Sequence, residues 1–206
     1  MKLYKLDCIC ELILSSTNNY DNVCIDNNLL KLLYSTKSHI DKVSQDKWEK
    51  FKKLHNKYEY IYTSSNKSQN ISDVNPISRS YFKLHEIIHD FYIKEFYLSS
   101  CIAEGPGGFI NCLLDHNITN IYGITLITNE RSIPYWNNGL IKKNKVHINI
   151  GQNTGNIYVK DNAINFINII KSKGTSQFVT SDGGFDYSED FNKQELSSYK
   201  LLFSEI

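Results

Sequence analysis

The 206-residue sequence has few arginines, no long apolar run and no C-x-x-C pair of cysteines. Arg79 and Arg131 are the two arginines, and the formal net charge is +1, so any contact with nucleic acid must come from local basic patches. No apolar stretch approaches the ~18 residues of a membrane-spanning helix, and we expect no membrane span. The N-terminus alternates polar and apolar residues, which does not fit a secretory signal.

The five cysteines are odd in number and form no C-x-x-C pair. This usage is typical of free thiols in a reducing compartment. We therefore expect a cytoplasmic protein, in the host cytoplasm or the virion if the chain is viral. A nuclear location stays open if the chain is cellular.

Two regions differ in their patterns. Residues 1–75 combine pieces of helical spacing with a polar stretch from position 63, and we expect a helical N-terminal extension followed by a linker. One predicted helix there, which Asp46 could cap, carries five lysines, either as a solvated face or as part of an RNA-facing surface. From residue 76 onwards, predicted strands alternate with helices. That order predicts an α/β fold, a doubly wound and mostly parallel Rossmann-like sheet.

A glycine-rich turn follows the first predicted strand. Residues 105–108 read Gly-Pro-Gly-Gly, after the apolar run 97–103 and before an amphipathic run that starts at Phe109. Glycine permits positive φ and lets a ligand approach bare backbone, and the next helix offers unpaired N–H groups. The pattern predicts a site for a small, partly anionic ligand, although a tight strand-to-helix connection without a ligand is the alternative.

A second polar segment follows the fourth predicted strand. Asp182, Gly183 and Gly184 come directly after the run 177–181. In doubly wound sheets, ligands lie at the carboxyl ends of the strands beside the topological switch point. We therefore expect Asp182 and the glycine turn to face one crevice, with an ordinary turn aspartate as the alternative.

Three further residues are candidates for contact with a substrate. Lys83 lies beside the apolar face of a predicted helix that Ser78 or Ser80 could cap, and its side chain could reach over the sheet edge. Arg79 could pair with an RNA phosphate or form a cap or a surface salt bridge. Trp136 could stack on a base or simply pack its loop.

Together, three segments carry a family resemblance: 103–109 (AEGPGGF), 181–185 (SDGGF) and 78–87 (SRSYFKLHEI). In this order they resemble the FtsJ-like ribose 2′-O-methyltransferases. Within that family they are most similar to the cap-specific mRNA enzymes of eukaryotes and large DNA viruses. The resemblance covers residues 76–206 and implies a Rossmann-like methyltransferase domain.

The resemblance implies S-adenosylmethionine as cofactor and RNA, in particular the capped 5′ end of mRNA, as partner. The methionine part of this cofactor would lie on the turn formed by Glu104, Gly105, Pro106, Gly107, Gly108 and Phe109, and Asp182 would also contact the cofactor. Lys83 and Asp182 match the first two members of the family's Lys-Asp-Lys-Glu tetrad. The second Lys, to which the family mainly gives the activating role, and the Glu would lie beyond the helix in which this chain ends. The resemblance therefore implies a domain that is incomplete at its C-terminus.

The chemistry fits this interpretation independently. Methyl transfer to a ribose hydroxyl depends on positioning and on a group that takes the proton or stabilises the alkoxide, and a lysine held by a carboxylate can do so. Two alternatives stay open: an enzyme acting on ribosomal or other RNA, and a module that binds the cofactor or a partner without catalysis.

A third alternative comes from His85-Glu86-Ile87-Ile88-His89, which matches the H-E-x-x-H signature of zinc peptidases. Its histidines are four residues apart on a helix and could bind zinc. No third ligand stands out downstream, and the same helix already belongs to the methyltransferase motif. We therefore expect an ordinary helix and no metal site.

Overall fold

The structure is a computed structural model that describes residues 26–61, 71–94, 96–130, 133–184 and 194–206. Residues 1–25 and 62–70 of the predicted extension and linker lie outside the described residues, as does Phe185 of the second motif. The chain divides into two compact units, Met1–Lys52 and Lys53–Ile206. The domain boundary expected at residues 75 and 76 remains a prediction.

The first unit contains helix α1, Asn27–Lys37. The Asp26 side chain caps it by accepting hydrogen bonds from the backbone N–H groups of Asn28 and Leu29 at 2.8 and 3.0 Å. A short 3-10 turn, Ile40–Lys42, precedes helix α2, Gln45–His55, which crosses the boundary between the units. Asp46 lies inside the first turn of α2, so the prediction that it caps this helix is wrong.

The second unit is a parallel α/β sheet. After a 3-10 turn at Lys57–Tyr60, its helices and strands follow in the order α3 (Ser80–Asp90), β1 (Leu98–Ile102), α4 (Gly108–Asp115), β2 (Asn120–Ile124), β3 (Val146–Asn149), α5 (Lys160–Lys173), β4 (Phe178–Ser181) and α6 (Gln194–Glu205). The strand order is β3-β2-β1-β4, and every pairing is parallel. This confirms the predicted Rossmann-like methyltransferase fold.

Apolar side chains project from both faces of the sheet, because successive side chains of a strand point to opposite sides. Ile121 belongs to a buried cluster that also contains side chains of α3 and α4. The next residue, Tyr122, packs instead with Phe166 and Ile170 of α5. Helices therefore cover both faces, as the doubly wound arrangement requires.

The strand order creates a switch point between β1 and β4. From β1 the chain moves outward through β2 to β3, and it then returns to place β4 on the opposite side of β1. Ile102 is paired with Ser181, so Ala103 and Asp182 leave the sheet side by side. The carboxyl ends of these two strands are where a ligand is expected in this class of fold.

None of the helices in the described part of the chain combines the length and hydrophobicity that a membrane crossing requires.

Candidate active site

A cavity of about 650 Å³ lies at the carboxyl ends of the strands. This volume is within the usual range of small-molecule sites, roughly 300–1,000 Å³. Segments that follow β1, β2, β3 and β4 contribute to its wall, together with one residue of α6. The lining residues are Ala103, Gly105, Thr125, Leu126, Glu130, Ile133, Pro134, Gly155, Asn156, Ile157, Tyr158, Asp182, Gly183, Gly184 and Leu201.

The glycine turn borders this cavity at Gly105. The Gly105 N–H donates to Thr125 Oγ1 at 3.0 Å, which joins the ends of β1 and β2. A Cβ on Gly105 would lie 2.5 Å from the Pro134 carbonyl oxygen. The absence of a side chain therefore lets the segment around Pro134 close against the turn.

The other glycines of the turn face protein. Gly107 has φ +110°, and a Cβ there would lie 2.2 Å from Leu140 Cδ2. A Cβ on Gly108 would lie 2.1 Å from both Ser78 Oγ and Ser80 Oγ. These positions need glycine for packing, whether or not a ligand is bound.

Six residues of the turn were predicted to bind the cofactor, and the structure describes all of them. Among the six, Gly105 is the one that lines the cavity. Phe109 is buried in the core together with side chains of α3 and α4. Pro106 follows a cis peptide bond, and its carbonyl accepts from the Asn137 N–H at 3.1 Å.

Glu104 points its carboxylate at the start of α4. Oε1 accepts from the N–H groups of Phe109 at 2.6 Å and Ile110 at 3.4 Å, which satisfies two of the unpaired donors of the helix terminus. The residue is buried, with 4% of its surface exposed. Burial raises the pKa of this carboxyl to about 8, and the two N–H groups oppose that rise.

Lys83 and Asp182 meet at the cavity rim. Lys83 Nζ lies 2.9 Å from Asp182 Oδ1 and 3.1 Å from Oδ2, although the residues are 99 positions apart. Asp182 lines the cavity, and the Lys83 side chain, on α3, is 62% exposed. The pair places a positive charge that is open to solvent beside the cavity.

Arg79 has the position of N-cap residue of α3. Its guanidinium lies 3.7 Å from Glu59 Oε2 and is largely exposed, as in the surface salt bridge that was its alternative role. Among the residues that the structure describes, no side chain caps α3 by a hydrogen bond, so the prediction that Ser78 or Ser80 caps this helix is wrong. Instead, the two hydroxyl groups share a 2.5 Å hydrogen bond.

Trp136 does not occupy the predicted position on an RNA-binding surface. It is 3% exposed and belongs to the core cluster that contains α3 and α4 side chains. A buried indole offers no free face to an RNA base, so the stacking role is wrong and the packing alternative holds. Gly123, in the middle of β2, makes room for it, because a Cβ there would lie 2.8 Å from Trp136 Cη2.

The loop that follows β3 was missed as part of the site. Gly155 and Asn156 line the cavity, and the fully buried side chain of Asn162 holds this loop. Asn162 Oδ1 accepts from the Gln152 N–H at 2.7 Å, and Nδ2 donates to the Asn156 carbonyl at 2.9 Å. The signal in the sequence is weak, because an asparagine at the start of a helix usually indicates a cap or a turn.

A parallel sheet of this order, with a cavity at its switch point and polar groups after β1, β2 and β4, has the architecture of a Rossmann-like methyltransferase. Residues 76–206 match the family described as FtsJ-like methyltransferase, and the chain belongs to this family. It is also similar to a viral protein, the probable methyltransferase EP424R of African swine fever virus. The two are 24% identical over 173 residues, which cover 75% of this chain and 38% of the relative. The chain thus spans less than two fifths of that relative's length.

Proposed function

We propose that this chain transfers a methyl group from S-adenosylmethionine to the ribose 2′-hydroxyl of capped mRNA. Membership of the FtsJ-like family supports the methyl transfer. The observation that carries the assignment of the reaction is the contact between Lys83 and Asp182 at the cavity rim, with Nζ within 3.1 Å of both carboxylate oxygens.

The cavity residues fit a cofactor with an amino-acid part and a nucleoside part. Asp182, Thr125 and Asn156 offer acceptors and donors for the polar groups, and Ile133, Ile157 and Leu201 offer apolar surface. Gly105 contributes its backbone to the wall after β1. When bound, S-adenosylmethionine supplies an activated methyl group on a sulfonium.

The role of the protein is to place the ribose hydroxyl and to stabilise the charge that develops on it. The Asp182 carboxylate holds the Lys83 ammonium at one point of the rim by two contacts. A cation beside a hydroxyl stabilises the alkoxide as the proton leaves, and a fixed cation does so without reorganisation. Because the Lys83 side chain is mostly exposed, an RNA strand can reach it.

RNA contact is proposed at the start of α3. Arg79 lies four residues before Lys83, and its guanidinium is 57% exposed. An exposed arginine near the reaction site can bind a backbone phosphate and fix the register of the strand. The preference for capped mRNA over ribosomal RNA rests on the resemblance of the three motifs to cap-specific enzymes.

The test measures transfer of isotope-labelled methyl groups to capped, uncapped and ribosomal RNA, together with cofactor binding by calorimetry. We expect capped RNA to be the best acceptor. Lys83→Met and Asp182→Asn should each lower the rate about 100-fold or more, because the first removes the cation and the second removes the carboxylate that holds it in place. Lys171→Met, which removes an exposed lysine of α5, is the matched control and should leave the rate unchanged.

Three results would count against the proposal. Equal rates in Lys83→Met and the wild type would refute the site assignment. Cofactor binding without transfer to any RNA would favour the non-catalytic module. Equal transfer to capped and uncapped RNA would remove the cap preference and retain the reaction.

A further inference from the structure

A second group of reactive side chains lies where α3 packs against α4. His85 on α3, Cys112 on α4 and His116 at the end of α4 each turn a potential metal ligand toward the others. Their ligand atoms all lie within 4.8 Å of one another. In the described part of the chain, none of these three residues lines the cavity at the strand ends.

We propose that His85, Cys112 and His116 form a zinc-binding site that fastens α3 to α4. Two imidazole nitrogens and one thiolate are a ligand set that Zn²⁺ accepts, and Zn²⁺ is normally four-coordinate and tetrahedral. Three protein ligands leave one position for water or another ligand. The exposed His85 keeps this position accessible, since it also lines a second cavity, of about 460 Å³.

The distances agree with a tetrahedral site. Zn–N bonds of 2.0–2.1 Å and a Zn–S bond of 2.3 Å place two nitrogens about 3.3–3.4 Å apart and a nitrogen and sulfur about 3.6 Å apart. The separation between His116 Nε2 and His85 Nδ1 is 3.3 Å. With all three ligand atoms within 4.8 Å, a shift of the thiol by about 1 Å is enough to complete the set.

The local sequence also suits a metal site. Cys112 and His116 are four residues apart, which places them on one face of the helix end. Asp115 adds a negative charge next to the cluster and accepts a hydrogen bond from Asn111 Nδ2 at 3.4 Å. A carboxylate beside a cation site favours binding of the cation.

The H-E-x-x-H motif predicted a different site. A zinc peptidase would use His85 together with His89, but His89 is exposed and its Nδ1 lies 3.2 Å from Asp90 Oδ1. His85 turns instead toward His116, and the two ring centroids lie 5.4 Å apart. The proposed ligands therefore come from two helices, whereas the ligands of the H-E-x-x-H motif would both come from α3.

A zinc ion at this point would connect two helices that support the candidate active site, without itself contacting that site. The ion would link α3, which carries Lys83, to α4, which begins at the glycine turn. Residues two apart on a helix lie on different faces, so His85 and Lys83 serve different neighbours. The proposed site is therefore separate from the methyl-transfer site and can be altered without removing Lys83.

The experiment uses the full chain, stripped of metal and titrated with Zn²⁺ against a chromophoric chelator. We expect one tightly bound zinc per chain and a rise in the thermal midpoint on binding. The variants His85→Ala and His116→Ala should weaken binding more than about 100-fold, since a loss of that size already accompanies changes around the ligands. His89→Ala is the matched control and should bind like the wild type.

Cobalt(II) tests the thiol directly, because a thiolate ligand gives a charge-transfer band that imidazole does not. The band should be present in the wild type and in His89→Ala and absent in Cys112→Ser. Circular dichroism checks that each variant is folded, and the exposed His85 provides a variant with little effect on the core. Absence of stoichiometric zinc would overturn the proposal, as would equal weakening by His89→Ala and His116→Ala. Such an outcome would leave the 3.3 Å contact as a hydrogen bond between two imidazoles.

Discussion

The buried carboxyl of Glu104 makes the stability of this protein depend on pH in a predictable direction. Its pKa is raised to about 8, against an ordinary value of 4.5, because burial disfavours the charge more than the two N–H groups of α4 favour it. At pH values between 4.5 and about 8, the Glu104 carboxyl is protonated in the folded protein and ionised in the unfolded chain. The free energy of unfolding therefore falls as pH rises through this range. The stabilising contribution of Glu104 is fully present only below its ordinary pKa of 4.5.

The size of the effect follows from the two pKa values. One pKa unit corresponds to about 1.4 kcal/mol, so the contribution of Glu104 falls by about 2 kcal/mol between pH 6 and pH 8. Glu104→Gln is neutral at every pH, and its amide oxygen can still accept from the Phe109 N–H. The variant should therefore lack this part of the pH dependence.

Urea denaturation at closely spaced pH values measures the difference. The free energy of unfolding of the wild type should fall relative to Glu104→Gln by about 2 kcal/mol from pH 6 to pH 8. Glu86→Gln removes an exposed carboxylate of α3 and serves as the control, with a profile parallel to the wild type. Parallel profiles for wild type and Glu104→Gln would refute the reasoning and show that the N-terminus of α4 outweighs burial.

Two further predictions concern the loop that follows β3. Gly155→Ala should lower the thermal midpoint and weaken cofactor binding, because Gly155 has φ +57° and a Cβ would lie 1.9 Å from the Thr125 carbonyl oxygen. For the thermal midpoint, Gly184→Ala is the control, since a Cβ there meets nothing within 4 Å, and equal midpoints in the two variants would contradict the prediction. Asn162→Ala leaves the Gln152 N–H without its 2.7 Å acceptor and should cost about 1–3 kcal/mol in urea denaturation. A loss below about 0.5 kcal/mol would show that water replaces the amide.

Strand β1 was predictable because it is buried on both faces and lies in a mostly apolar run, since the run 97–103 contains Leu98–Ile102. The run 177–181 contains β4, Phe178–Ser181, although Thr180 is the one buried residue of this strand. The apolar residues that indicate helix α5 run from Ile164 to Ile170, whereas the helix spans Lys160–Lys173. Its first turn carries polar residues, and one of them, Asn162, is buried for its hydrogen bonds, which no hydrophobic period reveals.

The position of Asp182 beside the turn that follows β1 was also predictable, because the fold brings the ends of β1 and β4 together. The roles of the glycines in the turn could not be predicted from the sequence. A glycine required by a ligand and a glycine required by a neighbouring side chain both show only a missing Cβ in the sequence. At Gly107 and Gly108 the neighbours are side chains of the protein itself.

Trp136 shows the opposite situation, in which a usable signal was present. Its segment has no regular period, so an aromatic residue there suggested an exposed stacking surface. Gly123 interrupts the strand Asn120–Ile124, and an isolated glycine within a strand often marks the close approach of another group. The indole of Trp136 is that group, at the position where a Cβ on Gly123 would lie.

Helix α3 shows that a local motif does not reveal which groups its side chains contact. Its pattern H-E-x-x-H places two histidines one turn apart, and the sequence alone offers no reason to look beyond that helix. In the fold, Tyr81, Leu84 and Ile88 bury one side of α3 against the core. Lys83 then lies on one flank of this buried side, beside Asp182, and His85 lies on the other, beside His116. Although they are two residues apart in sequence, these side chains contact different groups, because the partner of each comes from another part of the chain.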